Sequence, residues 1–193
     1  MFKPTSYGAA IFVAAALASA PAAAVPVVFT YFLSGANEAP PNASPATGYG
    51  YVVMDLVAHT MEVVTHFSGL TGPNTAAHIH CCTALPGAGI AGVATTTPTF
   101  TGFPAGTAGD YDHLFDMTLA SSFRSGFITA NGGTPASAEA ALYAGMVAGK
   151  SYLNIHTQQN PGGEIRGFLP EPGSYAMVLG ALALLAATRR RRT

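Results

Sequence analysis

At 193 residues the chain has room for one domain, and only 9% of it is charged against a typical quarter. Its formal net charge of -1 is unevenly distributed, because five of the eight basic residues, Lys3 and Arg189 to Arg192, lie near the ends. Between Val25 and Leu169 three basic side chains stand against eight acidic ones, a net -5, and a domain with no basic footprint is excluded as a nucleic-acid binder.

Residues 1 to 24 combine Lys3, an apolar stretch from Ala9 to Leu17 and the small residues Ala22-Ala23-Ala24. This is the layout of a secretory signal peptide, with cleavage expected after Ala24. The folded region, 25 to 169, opens with the β-branched and aromatic run Val27 to Leu33, followed by a Gly, Asn and Pro loop through Pro45. Tyr49 to Val57 and Met61 to Phe67 form an expected hairpin turning at Ala58-His59-Thr60. Ala76 to Cys82 is a fourth strand, and Thr83 to Pro98 reads as a loop. In Tyr111 to Leu119 the odd positions are apolar or aromatic and are expected to face the core.

One helix is expected: Thr134 as N-cap, Pro135 at the first helical position, Leu142 and Met146 four apart, and Gly149 as stop. Two last strands, Ser151 to His156 and Glu164 to Leu169, flank the turn Gln158 to Gly163. Many short strands punctuated by Gly and Pro predict an all-β class: an Ig-like or superoxide-dismutase-like β-sandwich or barrel of about seven or eight strands, with one crossover helix.

The chain closes with Pro170-Glu171-Pro172, an uncharged stretch from Tyr175 to Thr188, and Arg189-Arg190-Arg191-Arg192. As a helix the stretch spans ~21 Å, short for a ~30 Å hydrocarbon core, yet it inserts as a transmembrane helix if the bilayer thins. The arginines keep that end cytoplasmic, so the preceding domain faces outward. This order of parts resembles the PEP-CTERM sorting signal of Gram-negative bacteria. The resemblance implies export across the inner membrane, transient anchoring there, and processing by signal peptidase and an exosortase-type protease. Delivery to the outer surface or extracellular matrix follows.

Alternation along strands places Ala77, Ile79 and Cys81 on one face of the fourth strand, with His78, His80 and Cys82 on the other. The same logic groups His156 and Asn154 against Leu153 and Ile155, and Glu164 and Arg166 against Ile165 and Leu169. The polar sets are expected on outward faces, converging if their strands are neighbours. Three histidines in this arrangement suit copper or zinc, with Cys82 as a fourth, soft candidate ligand. Alternatively the imidazoles, Asn154, Glu164 and Arg166 form a polar network that fixes register. Cys81 and Cys82, the only cysteines, either close a vicinal disulfide or stay thiols. His59, His66 and His113 are read as structural.

Leu33 to Pro41, Ala77-His78-Ile79-His80, and Tyr152 to Thr157 followed by Pro161 to Gly167 resemble, in order, the three signatures of the CHRD domain, named after chordin. The resemblance implies a β-rich extracellular module, and Cys81-Cys82 departs from it where many members have Gly. The His-x-His strand is also similar to a fragment of copper-zinc superoxide dismutase, but no second His and Asp cluster with zinc-site spacing accompanies it. No Gly-x-Ser-x-Gly elbow or phosphate-binding Gly motif is present. The expectation is a non-enzymatic binding or matrix module. The competing readings are a structural surface protein without ligand and a small copper redox enzyme.

Overall fold

A computed structural model describes residues 25–169. The expected signal segment with Ala24, and the expected sorting tail with Pro170, Glu171, Pro172 and Arg189 to Arg192, lie outside the described residues. Among the described residues no helix is long and apolar enough to cross a membrane.

Seven strands form: β1 (Val27–Ser34), β2 (Thr47–Asp55), β3 (Thr60–Ser68), β4 (Asn74–His80), β5 (Gly109–Asp116), β6 (Tyr152–Thr157) and β7 (Ile165–Phe168). They make one antiparallel sheet in the order β4-β6-β7-β1-β2-β3-β5, curled into a half-barrel. The all-β class and the strand number are as expected, but the strands build a single curled sheet, not two facing ones. Period-two patterning sets the register, because slipping a strand by one residue would turn its apolar set to the other face. Phe29, Tyr31 and Leu33 of β1 thus join Val52 and Met54 of β2, Met61, Val63 and Phe67 of β3, and Tyr111 and Phe115 of β5 on the inner face. Leu119 departs from the odd-face expectation: β5 stops at Asp116 and Leu119 is exposed.

Gly50 allows a close approach on the inner face. A Cβ there would run into the Tyr31 hydroxyl, which donates to the Val64 carbonyl (2.8 Å) and meets Thr65 Oγ1 at 2.6 Å. Burial pushes the Tyr31 phenol far above its ordinary range, so it serves as a neutral donor.

Two helices, not one, close the inner side: α1 (Ser125–Ala130) and α2 (Pro135–Val147). The six-residue α1 has no side-chain cap and contains Gly126, so it leaves little local signal. In α2, Thr134 Oγ1 accepts from Ser137 N at 3.1 Å and the Ser137 hydroxyl completes a capping box. Its other end is a Schellman motif, with Gly149 N donating to Met146 O (2.9 Å), Lys150 N to Gly145 O (2.8 Å), and Gly149 at φ +64°. Ala138, Leu142 and Met146 bury against the sheet, and Phe29 meets Tyr143 edge-on at 6.3 Å.

Strand β4 lies at a sheet edge, where unpaired backbone groups must be satisfied. The segment after it folds back along that edge. Ala94 N donates to Ile79 O (2.9 Å) and Phe100 N to Ala77 O (2.8 Å), while the Thr95 and Thr99 hydroxyls accept from Ile79 N and Ala77 N, both at 2.9 Å. The Thr-rich stretch read as a loop is therefore the seal of the sheet edge. Cys81 and Cys82, just past β4, are disulfide-bonded to each other and pack on α2 at Gly145, where an added Cβ would strike both sulfurs. Gly145→Ala is expected to destabilise the protein by about 1–3 kcal/mol through overpacking. Gly162→Ala, which meets open space, should be near neutral. Denaturant midpoints of the two variants check the contrast.

Candidate metal centre

The outer face of the sheet has two halves. Over β1, β2, β3 and β5 it is open, with Phe32, Tyr49 and Tyr51 exposed. Over β4, β6 and β7 it is polar and covered, which corrects the expectation that these residues face outward to solvent. His78, His80, Asn154, His156, Glu164 and Arg166 all lie on it and all are buried. The segments around Asn37 to Ser44 and Gly89 to Pro98 provide the cover, through contacts to these same side chains.

Register brings the histidines together. His78 stands opposite Asn154, His80 opposite Tyr152, and Ala76 opposite His156, so His78 and His156 are diagonal neighbours while His78 and His80 share a face two residues apart. Strand β6 also pairs with β7, placing Asn154 beside Arg166. The convergence that required these strands to be neighbours is thus met.

Each imidazole is oriented by a backbone carbonyl. His78 Nδ1 contacts Pro98 O (3.3 Å), His80 Nδ1 contacts Ala91 O (2.8 Å) and His156 Nδ1 contacts Pro161 O (3.0 Å). A carbonyl only accepts, so each Nδ1 carries the hydrogen and each neutral ring turns a bare Nε2 lone pair into the cluster. One ligand nitrogen from each histidine lies within 4.8 Å of the others. His78 Nε2 and His156 Nε2 are 3.0 Å apart, and His80 Nε2 is buried without a partner. Two lone pairs at that distance repel unless a proton or a cation sits between them.

A proton is the poorer occupant at neutral pH. Burial, reinforced at His78 by the neighbouring histidines, pushes His78 down to about 3 and His80 down to about 4. His156 is lowered too, again chiefly by burial. Backbone carbonyls behind three converging Nε2 atoms are the usual outer support of histidine metal ligands. Three donors ~2.0 Å from a shared ion stand roughly 3.5 Å apart, within the spread seen here. The residues fit a first-row transition metal.

Cys82 does not join them. Its sulfur is bonded to Cys81 and it is exposed beside α2, so it has no thiolate to offer a metal, which corrects its reading as a fourth ligand. Glu164 and Arg166 hold the cover in place. The Glu164 carboxylate accepts from Ser44 Oγ (2.7 Å), Thr71 N (2.7 Å), Thr71 Oγ1 (2.8 Å) and Thr157 Oγ1 (2.6 Å). Burial alone would raise its pKa, but these hydrogen bonds more than offset that and hold it below the usual range. Arg166 donates to Asn37 O and Gly89 O, pairs with Glu38 at 3.7 Å and lies over the Tyr152 ring at 4.7 Å. That ring in turn stacks on His80, with centroids 4.7 Å apart. Asn154 Oδ1 and Glu38 Oε1 are buried without partners beside Gly163.

Strand alternation does not single out Glu38, although it lies within the Leu33 to Pro41 motif. Burial pushes its carboxyl up to about 7, against the opposing pull of Arg166. The other histidines do separate work. His59 Nδ1 meets Glu139 Oε2 at 2.7 Å, tying the β2–β3 turn to α2, and His66 Nδ1 meets Asp110 Oδ1 at 2.5 Å on the open face.

A sequence profile of the CHRD domain matches residues 29–169. The chain belongs to the CHRD domain family. No curated protein and no solved structure matches it. The profile spans every strand but the first two residues of β1, so the covered polar face and its histidines fall inside the CHRD domain.

The shifts fix the sign of a pH effect in the metal-free protein. Unfolded histidine takes up a proton near 6.5, whereas folded His78 and His80 resist until about 3 and 4, so their contribution is present above 6.5 and is lost as pH falls. Glu38 acts oppositely, its contribution being full below 4.5 and lost as pH rises through about 7. Denaturant midpoints should fall between about pH 6.5 and about pH 4, and Glu38→Gln should steepen the fall. A flat profile in both proteins would contradict the buried neutral imidazoles.

Proposed function

We propose that this chain is an exported, non-enzymatic CHRD module that holds one copper or zinc ion at His78, His80 and His156. It serves as a binding component of the cell envelope or extracellular matrix. The observation that carries the metal reading is the set of three Nε2 lone pairs held toward one another in a buried site by backbone carbonyls. Imidazole nitrogen suits copper and zinc, and an exported domain meets both ions outside the cytoplasm. When bound, the ion supplies a positive centre. The chain's own residues orient the imidazoles, exclude water and seal the sheet edge. Export rests on the signal segment and on the PEP-CTERM-like tail.

Two measurements test the two halves. Titration of the full-length protein with copper and with zinc should show one equivalent bound and a rise in thermal midpoint. His78→Ala or His156→Ala should lower affinity by roughly 100-fold or more, as loss of one of three ligands implies. Unchanged binding in both variants would end the metal reading. Mass spectrometry of the mature protein from its host should show a chain beginning at Val25 and lacking Arg189 to Arg192. A mature species that still carries the arginines would refute removal of the tail.

A further inference from the structure

We infer that the three-histidine site selects copper(I) over divalent ions, holding it through three neutral nitrogens with no carboxylate or thiolate among its ligands. This inference rests on the metal-binding reading and sharpens it to one ion and one oxidation state.

The donor set is the first ground. With each Nδ1–H given to a carbonyl, His78, His80 and His156 offer neutral Nε2 donors, and among the described residues no carboxylate or thiolate joins their cluster. A divalent ion there would keep its full double charge in a buried space, whereas a monovalent ion needs half the compensation. The outer support is the second ground. Zinc-binding histidines are often backed by carboxylates, which strengthen the ligand and spread the metal's charge. Here all three Nδ1–H groups go to neutral carbonyls, of Pro98, Ala91 and Pro161.

The surrounding charge is the third ground. Arg166 lies over Tyr152, which stacks on His80, so a fixed cation is one aromatic ring from a ligand. Arg124 reaches beside Gly92, next to Ala91, whose carbonyl accepts from His80. Glu164 is an anion on the same covered face, but both its oxygens are committed to hydroxyl and amide donors and it is not one of the clustered groups. Glu38 faces Arg166, and burial holds its carboxyl only partly ionised at neutral pH. A d10 monovalent ion also accepts three ligands in a plane, while zinc calls for a fourth.

The test uses the full-length protein in mild detergent, under anaerobic conditions. Copper(I) is titrated against a chromophoric copper(I) chelator, and zinc(II) against a zinc chelator, each as the only metal present. The expected result is one equivalent of copper(I) with a dissociation constant at least about 1,000-fold below that of zinc(II). An X-ray absorption edge of three-coordinate copper(I) with nitrogen neighbours should accompany it. Asn154→Asp, isosteric and directly opposite His78, puts an anion beside the cluster and should narrow the copper(I) to zinc(II) ratio by about tenfold or more. Arg124→Gln, at an exposed position, should narrow it in the same direction and serves if the first variant does not fold.

Zinc bound as tightly as copper(I), and lost in His78→Ala, overturns the selectivity and leaves the metal site standing. A ratio that stays unmoved in the folded variants overturns it too. No binding of either ion, or binding indifferent to His78, His80 and His156, removes the underlying reading as well.

Discussion

Three imidazoles are turned so that their hydrogens point outward to carbonyls and their lone pairs point inward to one another. This arrangement constrains the rest of the domain. It requires strands β4 and β6 to be adjacent and in one register, because a one-residue slip would send His156 to the core side and Ile155 into the cluster. It also requires cover, because the carbonyls that accept from His78 and His80 belong to the segment that folds back over the β4 edge.

That cover costs charge burial, and the structure meets the cost with hydrogen bonds. Glu164 and Arg166 sit in the dry layer and reach loops on both sides, Glu164 to Ser44 and Thr71, Arg166 to Asn37 and Gly89. Such groups are weak sources of net stability, since desolvation offsets much of their attraction. Their effect is to specify one closed arrangement of the loops. The acidic balance of the domain is carried mostly outside this layer. Much of the negative charge lies on solvent-facing Asp110, Asp112 and Asp116, while the covered half holds Glu164 and Arg166 together.

The sequence was informative wherever local periodicity and burial agree. Alternation in the strands sorted Leu153 and Ile155 from Asn154 and His156, and capping chemistry marked α2 from Thr134 to Gly149. It was uninformative where stability comes from non-local contacts. Helix α1 has no cap and too few residues to carry a periodic signal, and its Phe127 is held by tertiary burial. Alternation says which side of a strand a residue faces, not what lies above that side, so His78, His80 and Arg166 read as solvent-facing. Cys82 read as a ligand for the same reason: parity placed it on the histidine face, but the strand ends at His80, and past that point the rule has no hold.

The sequence by itself determined the all-β class, the apolar and polar faces of β4, β5 and β6, the capped helix α2, and the CHRD motifs with their histidines. These follow from chain-local chemistry: period-two alternation, turn-forming Gly and Pro, and hydroxyl capping. Only the tertiary structure decided that the histidines meet, that their face is dry, that Glu38 joins it, and that the Thr-rich segment seals an edge. Those outcomes depend on strand order and on loops crossing the sheet, and long-range pairing leaves no periodic trace in the chain that makes it.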